Sequence, residues 1–398
     1  MIARLFAAAL ACLAALPALA EDWSAVLARA KGQTVYWHAW GGDPKINAFI
    51  GWVGEQAQAR HGVTLEQVKL AATTDAVARV LAEKQAGRTE GGAVDLIWIN
   101  GANFAAMKRQ GLLSAPFAES LPNWALVDVA GKPAVRTDFT EPTGGLESPW
   151  ALAQLVFEHD TARLPDPPKS IAALLDWIRA NPGRFTYPQP PDYLGTTFLK
   201  QVLYGVTPDP SVLQRPVDEA SYAAVTAPLW AWLDAAQPAL WRGGRAFPPN
   251  ETALAQLLAD GEVTLSFAFN PGRASAAIAA GELPDTVRTF VLDQGTIGNA
   301  SFVAIPFNAA HPEGARVIAN LLLDPEVQAR AQDPSVLGFQ TVLNLGALPP
   351  ADRARFAALD LGVATLPPEA LGVALLEPHS SWMERIAADW VTRYGTAK

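Results

Sequence analysis

Short β-like runs and amphipathic helical stretches alternate along most of this chain, and that alternation restricts it to an α/β architecture. TVYWHA over 34–39 reads as a strand, followed by Gly41-Gly42 and then Asp43-Pro44 as helix cap and first helical residue. In the next stretch Ile46, Phe49, Ile50, Val53 and Ala57 recur at helical spacing. VTLEQVKL (63–70) alternates like a strand, and a helix over 74–86 ends at Gly87. VDLIWI (94–99) is continuously apolar, as a buried central strand would be, and leads through Asn100-Gly101 into a helix ending near Gly111. WALAQLVFEHD (150–160) reads as one long strand, 170–183 as a helix capped by Ser170, and RFTYP (184–188) as a short strand. VTLSFAF (263–269) is another strand, and two more follow between 287 and 305. The last ninety residues read as helix and Pro-rich turns.

Four strand-to-helix junctions carry small or amide residues: Gly41-Gly42-Asp43, Asn100-Gly101-Ala102-Asn103, Gly195-Thr196-Thr197 and Asn270-Pro271-Gly272. Any one of them is first an ordinary cap or turn. Together they suggest a shared cleft, because open α/β sheets bind ligands beyond the carboxyl ends of their strands. Free N–H groups at helix starts favour polar or anionic groups.

The N-terminus points to export. Arg4 precedes an apolar stretch that closes on Ala18-Leu19-Ala20, the pattern expected of a cleavable signal peptide over residues 1–20. Cleavage removes Cys12, the single cysteine, and with it any disulfide, thiolate metal site or thiol nucleophile. A lipoprotein site at Cys12 fits less well, since Ala9 stands where a branched residue is usual. The formal charge of −9 disfavours nucleic acid and anionic membranes as partners.

The runs QTVYWHAWGGDPKIN, VDLIWINGANFAAMK, PWALAQLVFEHD and RFTYPQPPDYLGTTFLKQ resemble the YnjB-like family of ABC-transporter solute-binding proteins, type 2 periplasmic binding proteins commonly associated with thiamine transport. The resemblance spans nearly the whole chain after the leader. It implies two α/β lobes joined by crossover strands: residues 21–149 with about 295–345 in one, 150–294 in the other, and 346–398 as a C-terminal helical segment packing on both. It further implies a monomer in the periplasm that closes by hinge motion on a small organic solute, such as thiamine or a phosphorylated form. An ABC permease with its ATPase would be its partner, with no cofactor and no metal.

Within that frame the candidate ligand-binding residues are Trp40, Gly41, Gly42, Asp43, Asn100, Asn103, Trp150, Tyr193, Gly195, Thr196, Thr197, Asn270, Asn299 and Ser301. Trp40 offers a ring face for stacking or for a cation. Trp150 opens the crossover strand and would close over the cleft. Gly195 to Thr197 would receive a phosphate or carboxylate. Polyamine and iron(III) binders share the fold, but iron sites usually present neighbouring tyrosines, and Tyr187 and Tyr193 are not adjacent. An exported hydrolase on this scaffold is a further alternative. The five histidines are scattered without metal spacing, no G-x-S-x-G elbow occurs, and the chain after the leader has no cysteine, so binding without turnover is the preferred reading.

Overall fold

In a computed structural model, residues 22–372 and 374–395 are described. The expected signal peptide lies outside these residues. Among them, no helix is long and apolar enough to cross a membrane.

In chain order the first lobe is built from α1 (Trp23–Ala30), β1 (Thr34–Trp40), α2 (Pro44–His61), β2 (Thr64–Leu70), α3 (Thr73–Gln85), β3 (Leu96–Ile99), α4 (Gly101–Arg109), the two-residue strands β4 (Thr137–Asp138) and β5 (Glu141–Pro142), and β6 (Glu147–Gln154). The second holds β7 (Val156–Asp160), α5 (Ile171–Ala180), α6 (Tyr193–Val206), α7 (Tyr222–Ala236), α8 (Glu251–Ala259), β8 (Leu265–Ala268), α9 (Arg273–Ala279) and β9 (Val287–Phe290). The chain then re-enters the first sheet with β10 (Gly298–Ala304) and continues through α10 (Pro312–Leu322), α11 (Pro325–Gln332), α12 (Pro350–Ala357), α13 (Pro368–Leu371) and α14 (Ser380–Tyr394).

The local reasons are visible at α2. The Asp43 carboxylate accepts from the backbone N–H groups of Lys45 and Ile46, Pro44 supplies a preset φ, and Gly62 ends the helix in the left-handed region. Its five apolar residues at helical spacing are all buried. Each of the four larger ones, Ile46, Phe49, Ile50 and Val53, contributes about 1.5–3 kcal/mol when fully removed from water.

The first sheet has the order β2-β1-β3-β10-β6, parallel through β2, β1 and β3, with β10 antiparallel to both its neighbours. The second is β8-β7-β9, antiparallel throughout. Each sheet has its own apolar core. Trp37, Phe49 and Trp150 belong to the first; Phe157, Phe198 and Phe267 belong to the second.

The run expected as one strand over 150–160 is two strands in different sheets, meeting at Leu155. The expected change of lobe at 149/150 therefore meets a strand that stays in the first sheet through Gln154. Leu155 donates its N–H to Ile297 O at 2.8 Å, so the outgoing and returning crossings are bonded side by side. A third segment joins them: Leu375 N–H donates to Thr296 O and Gly298 N–H donates to Leu375 O, each at 2.9 Å. The C-terminal segment thus runs along the crossings before α14 buries Trp382, Ile386 and Trp390 in the second core. RFTYP is not a strand, although its backbone is tied to Trp241 and Thr264.

Candidate functional site

Each lobe carries helix starts at the ends of its strands. On the first lobe, β1 ends at Trp40 and α2 starts after Asp43. The indole of Trp40 lies over Gly42 and is 42% exposed. Asp43 is engaged as the cap, and Asn47 Nδ2 donates to Gly41 O at 3.0 Å. After β3, the helix α4 begins at Gly101, whose N–H donates to Asp138 Oδ2 at 2.6 Å. Asn100 makes no side-chain cap bond, and Asn100 and Asn103 are half-buried.

On the second lobe three helix starts converge at the carboxyl end of β8. Helix α6 begins at Tyr193, two residues before the Gly-Thr-Thr expected to open it, with Asp192 as its cap. The backbone groups expected to receive an anion are engaged within the chain. Gly195 N–H already donates to Asp192 Oδ1, and Gly195 packs on the Pro188 carbonyl. The hydroxyls of Thr196 and Thr197 donate to the backbone carbonyls of Asp192 and Tyr193, both at 2.8 Å, and all three residues are buried. Beyond β8, Asn270 Oδ1 accepts from Gly272 N–H, while its Nδ2 donates to Leu337 O of the first lobe at 2.6 Å. Gly272 and Gly338 meet so closely that a Cβ on Gly272 would lie 2.6 Å from Gly338 Cα. These residues bring the lobes into contact. Glu251, at the first position of α8, lies 3.9 Å from Arg273 Nε, and Arg273 forks onto the buried Glu158 of β7.

Tyr193 stands where the lobes meet. Its ring is 39% exposed and meets Phe269 edge-on at 5.4 Å. Its hydroxyl is tucked away, donating to Glu377 Oε1 at 3.0 Å and accepting from Asn299 Nδ2 at 2.7 Å. Burial of that end, with Glu377 beside it, pushes the phenol well above its ordinary value. Glu377 also holds Lys200 Nζ at 2.5 Å, and that ammonium lies 5.2 Å from the ring centres of both Phe139 and Tyr193. This polar knot joins α6, β10 and the C-terminal segment.

Two neighbouring acids are raised. Burial lifts Asp138 to about 8 against the pull of the Gly101 N–H, with Glu377 and Glu141 adding to the rise. Burial, and then Asp138, raises Glu147 well above the carboxylate range. Among the described residues, Asp138 Oδ1 and both Glu147 oxygens have no hydrogen-bond partner.

Trp150 does not face the cleft. It is 1% exposed, with Trp37, Phe49, Trp98 and Phe339 around its ring at 5.1–6.2 Å. Its position on a strand flanked by apolar residues on both faces makes it a core residue. Ser301 lies half-buried on β10, beside the register shift that follows it. The structure thus gathers Tyr193, Asn299 and Asn270 at the lobe junction. Trp40, Gly41, Gly42, Asp43, Asn100 and Asn103 lie on the first lobe's edge. Asp138, Lys200, Glu251, Arg273 and Glu377 escaped the sequence reading. Lys200 carried a signal, since a lysine inside the apolar run FLKQVL needs a buried counter-charge.

The family described as bacterial extracellular solute-binding protein matches residues 52–351. Protein YnjB of Escherichia coli (strain K12) is 44% identical over 377 residues, 95% of each chain. Among solved structures, an ABC transporter substrate-binding protein from Bradyrhizobium japonicum has a TM-score of 0.61 at 19% identity, covering 90% of this chain and 99% of its own. The periplasmic binding protein AfuA from Actinobacillus pleuropneumoniae, with fructose-6-phosphate bound, has a TM-score of 0.58 at 16% identity, covering 92% and 99%. The spermidine/putrescine ABC transporter substrate-binding protein PotD from Streptococcus pneumoniae has a TM-score of 0.56 at 14% identity, covering 91% and 98%. With a two-lobed type 2 periplasmic-binding fold and these matches, the chain belongs to the bacterial extracellular solute-binding protein family of ABC transporters.

Proposed function

We propose that this protein captures a small organic cation between its lobes in the periplasm and, as a monomer, presents it to an ABC permease and its ATPase without turnover. The observation that carries this reading is the state of the helix starts. Those of α2, α4 and α6 each donate to a carboxylate of the chain itself, Asp43, Asp138 and Asp192. An anionic solute would have to displace these acids, whereas a cation meets the charge of Asp43 and Asp192 and the ring faces of Trp40 and Tyr193. Thiamine without phosphate is the first candidate, because its ring carries a permanent positive charge. A polyamine is the second, favoured by the same acids; PotD, of the same fold, is a spermidine/putrescine protein. Iron(III) has less support, since Tyr187 is buried beneath Trp390 and donates no group to the lobe junction.

The test is native mass spectrometry of the purified exported protein for a co-purified solute, then calorimetry with thiamine, thiamine monophosphate, spermidine and iron(III). One-to-one binding of thiamine or spermidine, with thiamine monophosphate weaker than thiamine, is the expected result. Tighter binding of the phosphate ester, or conversion of the bound solute to product, would overturn the reading.

A further inference from the structure

Glu251 differs from the other acids at the lobe junction. Asp43 and Asp192 are engaged as helix caps, Glu377 is closed in by Lys200, Tyr193 and Asn299, and Glu158 is buried under Arg273. Glu251 follows Asn250, the cap of α8, whose side chain accepts from the Ala253 N–H, and the Glu251 side chain is 40% exposed. Its nearest cation, Arg273, is 3.9 Å away and is committed to Glu158 through two nitrogens. Two carboxyl groups, Glu251 and Glu158, therefore share one guanidinium at the edge where α6, α8 and α9 begin, and Asp192 lies near enough to act on Glu251. Tyr193 and Phe269 form an aromatic wall at that edge.

We propose that Glu251 selects the positive charge of the solute in this cleft, and that it gives up a proton to water as the cation binds. The proposal rests on the cationic reading above and names the residue that enforces it. Desolvation holds Glu251 up at about 7 in the empty protein. Among the described residues, the groups acting on it are Arg273 of α9, which lowers it, Glu158 of β7 and Asp192 before α6, which raise it, and the Phe269 N–H, which lowers it. A cation placed against the exposed side of the carboxyl favours its ionised form. Below pH 7 the empty site holds a proton that binding must release. Above it, the site is already charged. Affinity for a permanent cation then rises with pH through this window, and a tenfold gain between pH 6 and pH 8 corresponds to one group titrating near 7 (about 1.4 kcal/mol).

Calorimetry of thiamine and of spermidine at pH 6 and pH 8, each in two buffers of different ionisation heat, reads both affinity and proton release. The wild-type protein is expected to bind about tenfold tighter at pH 8 and to release close to one proton per cation at pH 6. Glu251→Gln is expected to bind about a hundredfold more weakly at pH 8, with no pH slope and an unchanged melting temperature. Should that variant fold poorly, proton release by the wild type decides alone. A flat wild-type profile, or zero proton release at pH 6, overturns the proposal while leaving the cationic reading standing. So does a Glu251→Gln protein that keeps the slope, which would place the titration on Asp192. Failure of both cations to bind overturns the two together.

Discussion

The polar knot around Glu377 and the charge cluster around Glu251 are made of the same materials: a carboxylate, a cation and a tyrosine edge. They differ in closure. Glu377 is 2% exposed and accepts from Lys200, Tyr193 and Asn299, so its charge and lone pairs are satisfied within the chain. Glu251 is open on one side and shares its cation with a second acid. The first arrangement fixes geometry, while the second leaves charge for something outside the chain. A solute site needs both, because a charge that invites a ligand is useful only where the walls around it are held still.

The comparison breaks most visibly at Lys200. Lys200→Met leaves Glu377 buried without its cation, and the expected loss is about 3–5 kcal/mol of unfolding free energy. Urea denaturation measures it. The double variant Lys200→Met with Glu377→Gln should regain more than half of the loss, because no uncompensated charge is then buried. A small loss in the single variant would mean that the knot admits water and is not closed.

Asp138 sharpens the same contrast from the other side. It is almost fully buried, yet among the described residues its only hydrogen bond comes from Gly101. An acid raised from the usual 3.8 to about 8 gives stability that is complete below the lower value and is lost as pH climbs toward the higher one. Asp138→Asn keeps an acceptor for Gly101 without the charge. It is expected to stabilise the protein at pH 8 by more than about 1 kcal/mol and to flatten the pH dependence of melting between pH 4 and pH 8. Thermal unfolding across that range reports it.

Much of the frame was legible before any coordinates. The β1–α2 unit could be read because its apolar spacing, Asp cap and Pro agree with one another. The division at Leu155 could not, because WALAQLVFEHD is apolar on both faces and nothing in it marks a change of sheet. Helix α6 shows a narrower failure. Gly195-Thr196-Thr197 looks like a helix start, but Asp192 three residues earlier is the stronger cap and takes the position. The knot was half legible: Lys200 demanded a partner, but Glu377 lies 177 residues away in a Pro-rich tail without periodicity.

Trp40 carries a smaller expected effect than either buried acid. Its exposed face costs little stability to remove, within about 0.5 kcal/mol. A ring that meets a cation contributes about 1 kcal/mol, so Trp40→Ala should weaken thiamine binding roughly fivefold with no shift in melting temperature. Calorimetry beside a thermal scan separates the two. A large drop in melting temperature would assign Trp40 to the lobe edge as packing.

The smallest effect belongs to Thr197, and it tests the corrected helix start. Its hydroxyl donates to Tyr193 O inside α6, and the side chain is buried. Thr197→Val keeps the shape and removes one intrahelical bond, for an expected cost of about 1 kcal/mol or less. If α6 offered its start to a phosphate, this change would weaken thiamine monophosphate selectively. With Asp192 already seated on the Gly195 N–H, the ratio of the two affinities should stay the same. Calorimetry of the variant with both solutes gives that ratio directly, and a selective loss for the phosphate ester would return the anion site to α6.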